Sequence, residues 1–393
     1  MAPQKPYSDR SSGPPVAVPF CKPDYEKRER QNLTAAIAEG RLEGGGTFTK
    51  AAERRLRGMT AAASALVVPS CTAALEMMAL LIGVQEGDEV IVPAYTFVST
   101  ANAIALRGAT PVFVDIDPVT LNLDPAAVVD AITPRTKAII PVHYAGVPCD
   151  MDELSRIGTT HGLWLLEDAA QALGATWNGQ PAGGIGDMGA VSFHHTKNVT
   201  CGEGGALLVN APRMVEAAEQ VRDKGTDRAS FLRGDINKYE WRVLGSSYLL
   251  SELAAAVLEA QLFRMEDLLT KRMAHWRAYD RVFSGLADVR TPRPPAAATH
   301  NAHIYHLRLP SRGDRDRFLC SMRGAGILAA PHYVPLHETP GGRRYGRSHG
   351  ALPVTLDAAD TLVRLPLFSA MSETERNRVI EQGLQALRDL DLA

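Results

Sequence analysis

The segment 192–205, SFHHTKNVTCGEGG, brings together two adjacent histidines, a lysine, a cysteine and three glycines. Such a set could form a metal site, a phosphate-binding loop or the seat of a reactive amine. Adjacent residues of an extended segment point to opposite faces, so His194 and His195 are poorly placed to bind one ion together. The sequence has no HExxH motif or Cys/His quartet, and these glycines form neither GxGxxG nor a P-loop. We therefore expect no metal here, and Lys197 is the main candidate for chemistry.

Lys197 and Asp168 each follow an apolar run that has the character of a buried strand. Desolvation lowers the pKa of a lysine and leaves its amine free to attack a carbonyl carbon, whereas most single lysines are solvated surface groups. An acid at the mouth of a buried strand is costly unless it is paired. Asp168 is thus either a structural cap or the partner of a cationic nitrogen in a ligand.

The segment 69–77, PSCTAALEM, has the pattern of a strand end followed by the start of a helix. Free N–H groups at a helix N-terminus bind anions, and the alternative is an ordinary Ser/Thr cap. Together, an anion site, an acid after one strand and a lysine after a later strand match the needs of pyridoxal 5′-phosphate. The phosphate of that cofactor needs N–H donors, its ring nitrogen needs an anion, and its aldehyde needs an amine.

Short apolar runs alternate with helical stretches from about residue 60 onward. The runs SALVVPS, EVIVPAY, TPVFVDI, KAIIPVHY and LWLLEDA are rich in β-branched residues and bounded by turn residues, which is typical of buried strands. This alternation predicts an α/β fold, a mostly parallel mixed sheet with flanking helices. Ligands of such sheets bind beyond the carboxyl ends of the strands, where Thr72, Phe97, Asp168 and Lys197 are expected.

The length of 393 residues suggests two domains. Residues 1–25 are expected to be a flexible lead-in, residues 26–270 a large cofactor-binding α/β domain, and residues 271–393 a smaller α+β domain. The boundary falls within a long helix predicted over 246–283. A strand in IYHLRLP, a helix near 314–323 and a C-terminal helix from Ser372 are predicted for the small domain.

Composition and charge exclude several classes of function. The formal net charge is −2 without a block of Lys or Arg, so the electrostatic footprint of a nucleic-acid partner is missing. Five scattered cysteines without a CxxC pair indicate reduced thiols in a cytoplasmic protein rather than disulfides or zinc. We expect no secretion signal, because the N-terminal segment MAPQKPYSDRSSGPPVAVPF has no apolar core, and no membrane span, because no apolar run reaches 18 residues.

The segment 167–210, from EDAAQALG to GEGGALLVN, strongly resembles the DegT/DnrJ/EryC1/StrS aminotransferases, the sugar branch of the fold-type I enzymes that use pyridoxal phosphate. The resemblance runs from about Glu43 to the C-terminus. The segments AIIPVHYAG, KGTDRASFLRG and HYVPLH are similar to one subgroup, which converts TDP-4-oxo-6-deoxy-D-glucose to a TDP-4-amino-4,6-dideoxyhexose. The resemblance implies L-glutamate as amine donor, 2-oxoglutarate as its product, and a homodimer with shared active sites.

The resemblance also implies roles for individual residues. Lys197 matches the lysine that bonds to the aldehyde carbon of the cofactor and later moves protons, and Asp168 matches the acid that pairs with its ring nitrogen. The other implied cofactor contacts are Phe97 on the ring face, Gln171 near the 3′-oxygen, and Thr72, Ala73 and Ser192 at the phosphate. The implied nucleotide-sugar contacts are Lys224, Arg228, His332, Tyr333 and His337.

One position departs from the wider family. Many members carry an asparagine in a GYNYR segment that reaches the phosphate from the partner subunit. Here the segment is GSSYLL, so Ser247 takes the place of the asparagine and Leu249 that of the arginine. The subgroup shares the serine, which implies a shorter and weaker contact across the dimer.

Two related activities and one non-enzymatic function are the alternatives. Amination at C3 of the sugar instead of C4 depends on the shape of the pocket and stays open. The 3-dehydratases of this fold carry a histidine in place of the lysine, so Lys197 argues against dehydration. A catalytically inactive sugar-nucleotide sensor would not need Lys197 and Asp168 together.

Overall fold

The structure is a computed structural model that describes residues 17–393. Its helices are α1 (Lys27–Glu39), α2 (Thr47–Thr60), α3 (Cys71–Leu81), α4 (Val98–Ala105), α5 (Pro125–Ala131), α6 (Met151–His161), α7 (Val215–Arg222), α8 (Arg228–Arg233), α9 (Glu252–Phe263), α10 (Met265–Phe283), α11 (Arg312–Gly324), α12 (Pro340–Tyr345), α13 (Pro353–Thr361) and α14 (Glu373–Arg388). Its strands are β1 (Ser64–Val68), β2 (Glu89–Pro93), β3 (Thr110–Val114), β4 (Thr136–Ile139), β5 (Trp164–Asp168), β6 (Thr176–Trp177), β7 (Gln180–Pro181), β8 (Met188–Ser192), β9 (Gly205–Val209), β10 (Ala298–Thr299), β11 (His306–Arg308), β12 (Arg347–Ser348) and β13 (Leu362–Arg364).

The main sheet has eight strands in the order β1-β9-β8-β5-β4-β2-β3-β12. The pairs β8–β5, β5–β4, β4–β2, β2–β3 and β3–β12 are parallel, and β9 runs antiparallel to both of its neighbours, β1 and β8. The predicted α/β class with a mostly parallel mixed sheet is therefore confirmed. The parallel arrangement places the carboxyl ends of β1, β2, β4, β5 and β8 at one edge of the sheet.

The central strands are almost wholly buried because helices cover both faces of the sheet. Every residue of β2, β8 and β9 is buried, which is the burial expected of a sheet packed on both sides. Helix α3 packs against β1, β8 and β9, and α2 also covers β1. The apolar runs recognised in the sequence thus form the centre of the large domain.

A second hydrophobic core belongs to the C-terminal part of the chain and gathers α10, α11, α14, β11 and β13. Val18 is 1% exposed and belongs to this core, and its backbone pairs with that of Ile327 and Leu328. Residues 17–20, which fall in the expected flexible lead-in, therefore pack on the small domain, and residues 1–16 lie outside the described residues. The boundary expected near residue 270 lies within α10.

The helix predicted over 246–283 is two helices. Residues 246–251 are not helical, and Ser251 caps α9 by accepting from the backbone N–H of Ala254. The chain turns at Arg264, where φ is −107° and ψ is 20°, between the end of α9 and the start of α10. The guanidinium of Arg264 binds Asp24 and Glu29, so the bend also fixes the N-terminal segment. Across residues 17–393, every helix is too short or too polar to span a membrane.

Candidate active site

A cavity of about 810 Å³ opens at the carboxyl edge of the sheet, between the sheet and the small domain. The turns after β1, β2, β5 and β8 form one wall, and residues of the small domain form the other. Eight of the residues singled out from the sequence line this cavity: Thr72, Phe97, Asp168, Gln171, Ser192, Lys197, His332 and Tyr333. The strand-end rule thus brings Thr72 and Lys197, 125 positions apart in the chain, into one site (197 − 72 = 125).

Asp168 is the last residue of β5, and both of its carboxylate oxygens accept hydrogen bonds. The Thr100 hydroxyl of α4 donates to Oδ2 at 2.8 Å, and the backbone N–H of Ala170 donates to Oδ1 at 3.1 Å. Burial raises the pKa of Asp168, while these hydrogen bonds and the positive charge of Lys197 oppose the shift. Among residues 17–393, Asp168 has no ion-pair partner within 4 Å, so its carboxylate is held in place to receive a cation.

The preceding acid, Glu167, faces away from the cavity because neighbouring residues of a strand point to opposite faces. Its carboxylate accepts the backbone N–H groups of Gly183, Ile185 and Gly186 at 2.6–2.7 Å. It also lies 2.9 Å from His143 Nε2. Glu167 therefore fixes the loop before β8, and only the second acid of the EDAAQ motif is available to a ligand.

Lys197 lies in the turn between β8 and β9, where its backbone N–H donates to the carbonyl of His194 at 2.9 Å. Burial lowers the pKa of its amine, and the nearby Cys71 and Asp168 oppose that shift. Within the described chain, Lys197 Nζ makes no hydrogen bond or ion pair. An amine that is partly desolvated and unpaired is suited to act as a nucleophile and as a proton acceptor.

The N-terminus of α3 faces the cavity. Ser70 caps the helix, since its hydroxyl accepts the backbone N–H of Ala73 at 3.1 Å. This bond engages the amide of Ala73, and Ala73 does not line the cavity, so the amides of Cys71 and Thr72 are the ones at the cavity wall. The Thr72 side chain lies 2.8 Å from the Ser99 hydroxyl, another cavity residue.

Gly205 makes the close packing behind this helix terminus possible. It is the first residue of β9, and a Cβ there would collide with the backbone of Ser70 and Cys71. Its partner in β8 is Ser192, which lines the cavity. Amides at a helix N-terminus with hydroxyls on either side form a donor set suited to a phosphate group.

An aromatic cluster forms the floor of the cavity near Gln171. The side-chain amide of Gln171 donates to the Tyr333 hydroxyl at 3.1 Å. His332 Nδ1 lies 3.0 Å from the Tyr144 hydroxyl, and the backbone carbonyl of His332 accepts from the Tyr95 hydroxyl. Two residues of the HYVPLH segment are therefore tied to the strand ends, whereas His337 lies outside the cavity beside Glu338.

Ser247, Lys224 and Arg228 do not line the cavity of their own chain. Ser247 is exposed and pairs with Asp223. Lys224 Nζ and Arg228 Nη1 both bind the Asp223 carboxylate, at 2.8 and 3.2 Å. These three sequence-derived candidates thus form a separate group on the surface.

Three basic residues of the cavity are not indicated by any pattern in the sequence: Arg272, Arg364 and His303. Arg272 is 4% exposed and donates to the carbonyls of Ala302 and His303. Arg364 donates to the carbonyl of Pro331 and stacks on the ring of Phe20 at 4.6 Å. Neither arginine has an acidic partner within 4 Å in residues 17–393. No local motif marks them, because they reach the cavity through the packing of the small domain.

The donor set fits pyridoxal phosphate. Helix amides and the Ser192 hydroxyl suit the phosphate, the buried Asp168 suits the ring nitrogen, and Lys197 suits the aldehyde. In the described residues, no group of three His, Cys, Asp or Glu side chains is arranged to hold a metal ion. Fold and site together define the class of protein: a fold-type I enzyme dependent on pyridoxal phosphate.

The sequence profile of the DegT/DnrJ/EryC1/StrS aminotransferase family matches residues 23–383. The chain therefore belongs to this family, as the resemblance indicated, and it is a transaminase that uses pyridoxal phosphate.

Similar proteins cover nearly the whole chain. The spore coat polysaccharide biosynthesis protein SpsC of Bacillus subtilis is 34% identical over 95% of this chain and 97% of its own length. The aminotransferase TlmJ of Streptoalloteichus hindustanus is 30% identical with a TM-score of 0.88, over 95% of this chain and 99% of that one. Spr1654 of Streptococcus pneumoniae, solved in its PLP form, is 28% identical with a TM-score of 0.88, over 95% of this chain and 99% of that one.

Proposed function

We propose that the chain is a sugar aminotransferase that converts TDP-4-oxo-6-deoxy-D-glucose to a TDP-4-amino-4,6-dideoxyhexose, with L-glutamate as amine donor. The observation that carries this proposal is the meeting of an unpaired Lys197 and a buried Asp168 in one cavity. The similarity to a polysaccharide biosynthesis protein supports a sugar as acceptor. The choice of the C4 position and of a TDP sugar is supported by the resemblance of AIIPVHYAG, KGTDRASFLRG and HYVPLH to one subgroup.

The cofactor would be held by residues from several strand ends. Asp168 would pair with the ring nitrogen, Phe97 would cover the ring, and Gln171 would lie near its 3′-oxygen. The amides after Ser70 and the hydroxyl of Ser192 would hold the phosphate. Pyridoxal phosphate supplies an aldehyde that bonds to amines and a ring that draws electrons from the carbon next to the nitrogen.

Lys197 then performs the proton transfers. Because burial lowers its pKa, a larger share of the amine is neutral near pH 7 than for an exposed lysine. In the first half-reaction the neutral Nζ would accept the proton from the α-carbon of glutamate and pass it to the carbon of the cofactor's former aldehyde. In the second half-reaction it would take a proton from that carbon and deliver it to C4 of the sugar, so in each half-reaction one residue acts as base and then as acid.

The charge of the cavity favours acidic substrates. Arg272 and Arg364 contribute two guanidinium groups, and burial lowers the pKa of Arg272 only to about 10, so Arg272 stays charged near pH 7. The α-carboxylate of glutamate would bind Arg364, whose Nε is buried and has no hydrogen-bond partner within residues 17–393. A guanidinium binds a carboxylate through parallel N–H groups, which suits this position.

A homodimer with shared sites explains the surface group around Ser247. The segment 228–249 exposes several large apolar side chains, among them Trp241 at 74%, Leu232 at 66% and Leu244 at 63%. Large apolar side chains that are exposed together on one segment suit a protein–protein interface. In such a dimer Ser247 would approach the phosphate in the partner's site, and Lys224 and Arg228 would approach its nucleotide sugar.

The five cysteines are all free thiols, which supports a cytoplasmic enzyme.

The product of the purified enzyme tests the function directly. Incubation with L-glutamate and TDP-4-oxo-6-deoxy-D-glucose should yield 2-oxoglutarate and a sugar whose carbon at C4 bears the new amine in NMR spectra. The same assay with a 3-oxo sugar and with the UDP analogue should give little product. Amination at C3 would contradict the proposed position, and a protein that takes up the cofactor but never turns over would be the inactive sensor.

The variant Arg364→Gln tests the donor site. Loss of a charged hydrogen bond worth about 1.5–3 kcal/mol should raise KM for glutamate by about 10- to 100-fold. The KM for the nucleotide sugar, measured in the same steady-state series, should change little. Arg290→Gln is the matched control, because Arg290 pairs with Asp357 outside the cavity. A rise confined to KM for the sugar would place Arg364 at the diphosphate instead.

A further inference from the structure

The imidazole of His303 lines the cavity and takes no part in the scheme above. It lies between β10 and β11, on the side of the small domain. Its Nδ1 is 2.8 Å from Oδ1 of Asn198, the residue that directly follows Lys197 in the chain. The ring is thus fastened to the turn that carries the reactive amine.

The hydrogen bonds of Asn198 determine which nitrogen of His303 carries hydrogen. Asn198 Nδ2 donates to the backbone carbonyl of Asn301 at 2.9 Å, so the oxygen of the same amide is the atom that faces His303. An amide oxygen only accepts, and His303 Nδ1 must therefore be the donor. A neutral imidazole with hydrogen on Nδ1 has its lone pair on Nε2, and this atom has no hydrogen-bond partner within residues 17–393.

The surroundings keep this ring neutral. Burial lowers the pKa of His303 well below its ordinary value, and the positive charges of Lys197, Arg272 and Arg364 act in the same direction. Burial also lowers the pKa of His332, and the positive charges of Arg364, Lys197 and a charged His303 act in the same direction. A proton on Nε2 would face three cations, so the cavity favours the neutral ring, whose Nε2 is an acceptor.

Lys197 needs such an acceptor. In the proposed function its amine is released and becomes an ammonium, and an ammonium at a partly buried position is costly without a hydrogen-bond acceptor. A carboxylate in this position would hold the proton too tightly, because an opposite charge raises the pKa of an amine. A neutral imidazole accepts a hydrogen bond without adding that charge.

We propose that Nε2 of His303 accepts a hydrogen bond from the protonated amine of Lys197 and so positions it between its two proton transfers. The inference rests on the proposed role of Lys197. His303 acts through the lysine, so it is a positioning residue and does not itself take the proton.

The pKa of Lys197 in the cofactor-free protein tests the hydrogen bond apart from activity. The pH dependence of Lys197 acylation, followed by mass spectrometry, reports that pKa. His303→Phe keeps a flat ring but removes the acceptor, and should lower the pKa by about 1 to 2 units, the equivalent of one hydrogen bond to a charged group. His303→Gln offers an amide oxygen and should stay near the wild-type value. An unchanged pKa in the Phe variant would overturn the proposal.

His300→Phe is the matched control, because His300 belongs to the same segment but packs on Trp276 outside the cavity. It should leave the pKa of Lys197 unchanged.

In the holoenzyme, His303→Phe should lower kcat by about 10- to 100-fold with little change in either KM. An increase in KM for the sugar at unchanged kcat would mean that His303 binds substrate, and would also overturn the proposal.

A second variant keeps the histidine and changes its protonation. In Asn198→Asp a carboxylate faces the Nδ1–H of His303 and raises the pKa of the ring, so that Nε2 becomes protonated as the pH falls. A new acid limb should then appear in the pH profile of kcat, absent from the wild type, while circular dichroism checks the fold. A folded variant with the wild-type profile would count against the proposal. The variant Lys197→Ala tests the role of the lysine separately. Bound cofactor that kept its visible absorbance in this variant would disprove the proposed function. The pKa of Lys197 in cofactor-free protein that retains the lysine would still report the hydrogen bond to His303.

Discussion

Lys197→Ala is expected to lose the visible absorbance of the lysine-bound cofactor and to slow turnover by at least about 10⁴-fold. The expected loss of rate is this large because Nζ supplies both the covalent attachment of the cofactor and the proton transfers. Proton transfer alone contributes about 10²–10⁴-fold to the rate. Absorbance spectra of the purified protein with added pyridoxal phosphate, together with the rate of 2-oxoglutarate formation, measure the two effects separately.

The fold should survive this substitution. Lys197 Nζ makes no hydrogen bond or ion pair in the described chain, and burial of its ammonium opposes folding, so the alanine variant should melt no lower than the wild type without cofactor. Lys137→Ala is a matched control, since Lys137 pairs with Asp88 away from the cavity and its loss should leave the absorbance intact. A coloured and active Lys197→Ala enzyme would refute the assignment.

Lys197 and Asp168 could be located from the sequence because they depend on local patterns and one topological rule. Each follows a short apolar run bounded by turn residues, and the carboxyl ends of parallel strands meet at one edge of a sheet. Thr72 and Phe97 follow β1 and β2 and reach the cavity by the same rule. Hydrophobic periodicity is therefore enough to bring the main candidates together.

Arg364 and His303 could not be found in this way. Arg364 ends β13, and its position in the cavity depends on how the small domain docks on the sheet. The role of His303 depends on the tautomer set by Asn198, a contact across 105 residues of chain. The break at Arg264 could not be found from the sequence either, because 246–283 is rich in helix formers and the ion pairs of Arg264 with Asp24 and Glu29 form only in the folded chain. Such features follow from tertiary contacts rather than from local pattern.

Asp168→Asn is expected to lower activity and raise the stability of the cofactor-free protein. Two unit charges about 4 Å apart interact by about 4 kcal/mol at an effective dielectric constant near 20, so losing the negative charge opposite the ring nitrogen should reduce kcat by about 10³-fold. Thr100→Val removes one hydrogen bond to Asp168 but keeps the charge of that carboxylate, so kcat should fall by only about 10-fold.

The same substitution should raise stability while it lowers activity, because burial raises the pKa of Asp168 above its unfolded value. The folded state then binds the proton more tightly than the unfolded state, so the contribution of Asp168 to stability is present below its unfolded pKa and is lost as the pH rises through its folded pKa. Near pH 7 the ionised carboxylate is thus a cost without cofactor, and asparagine removes it. Thermal unfolding of cofactor-free protein at pH 5 and pH 8 should show Asp168→Asn melting higher than the wild type, with the larger gain at pH 8. A variant that melts lower at both pH values would mean that Asp168 is a structural cap rather than a charge held ready for the cofactor.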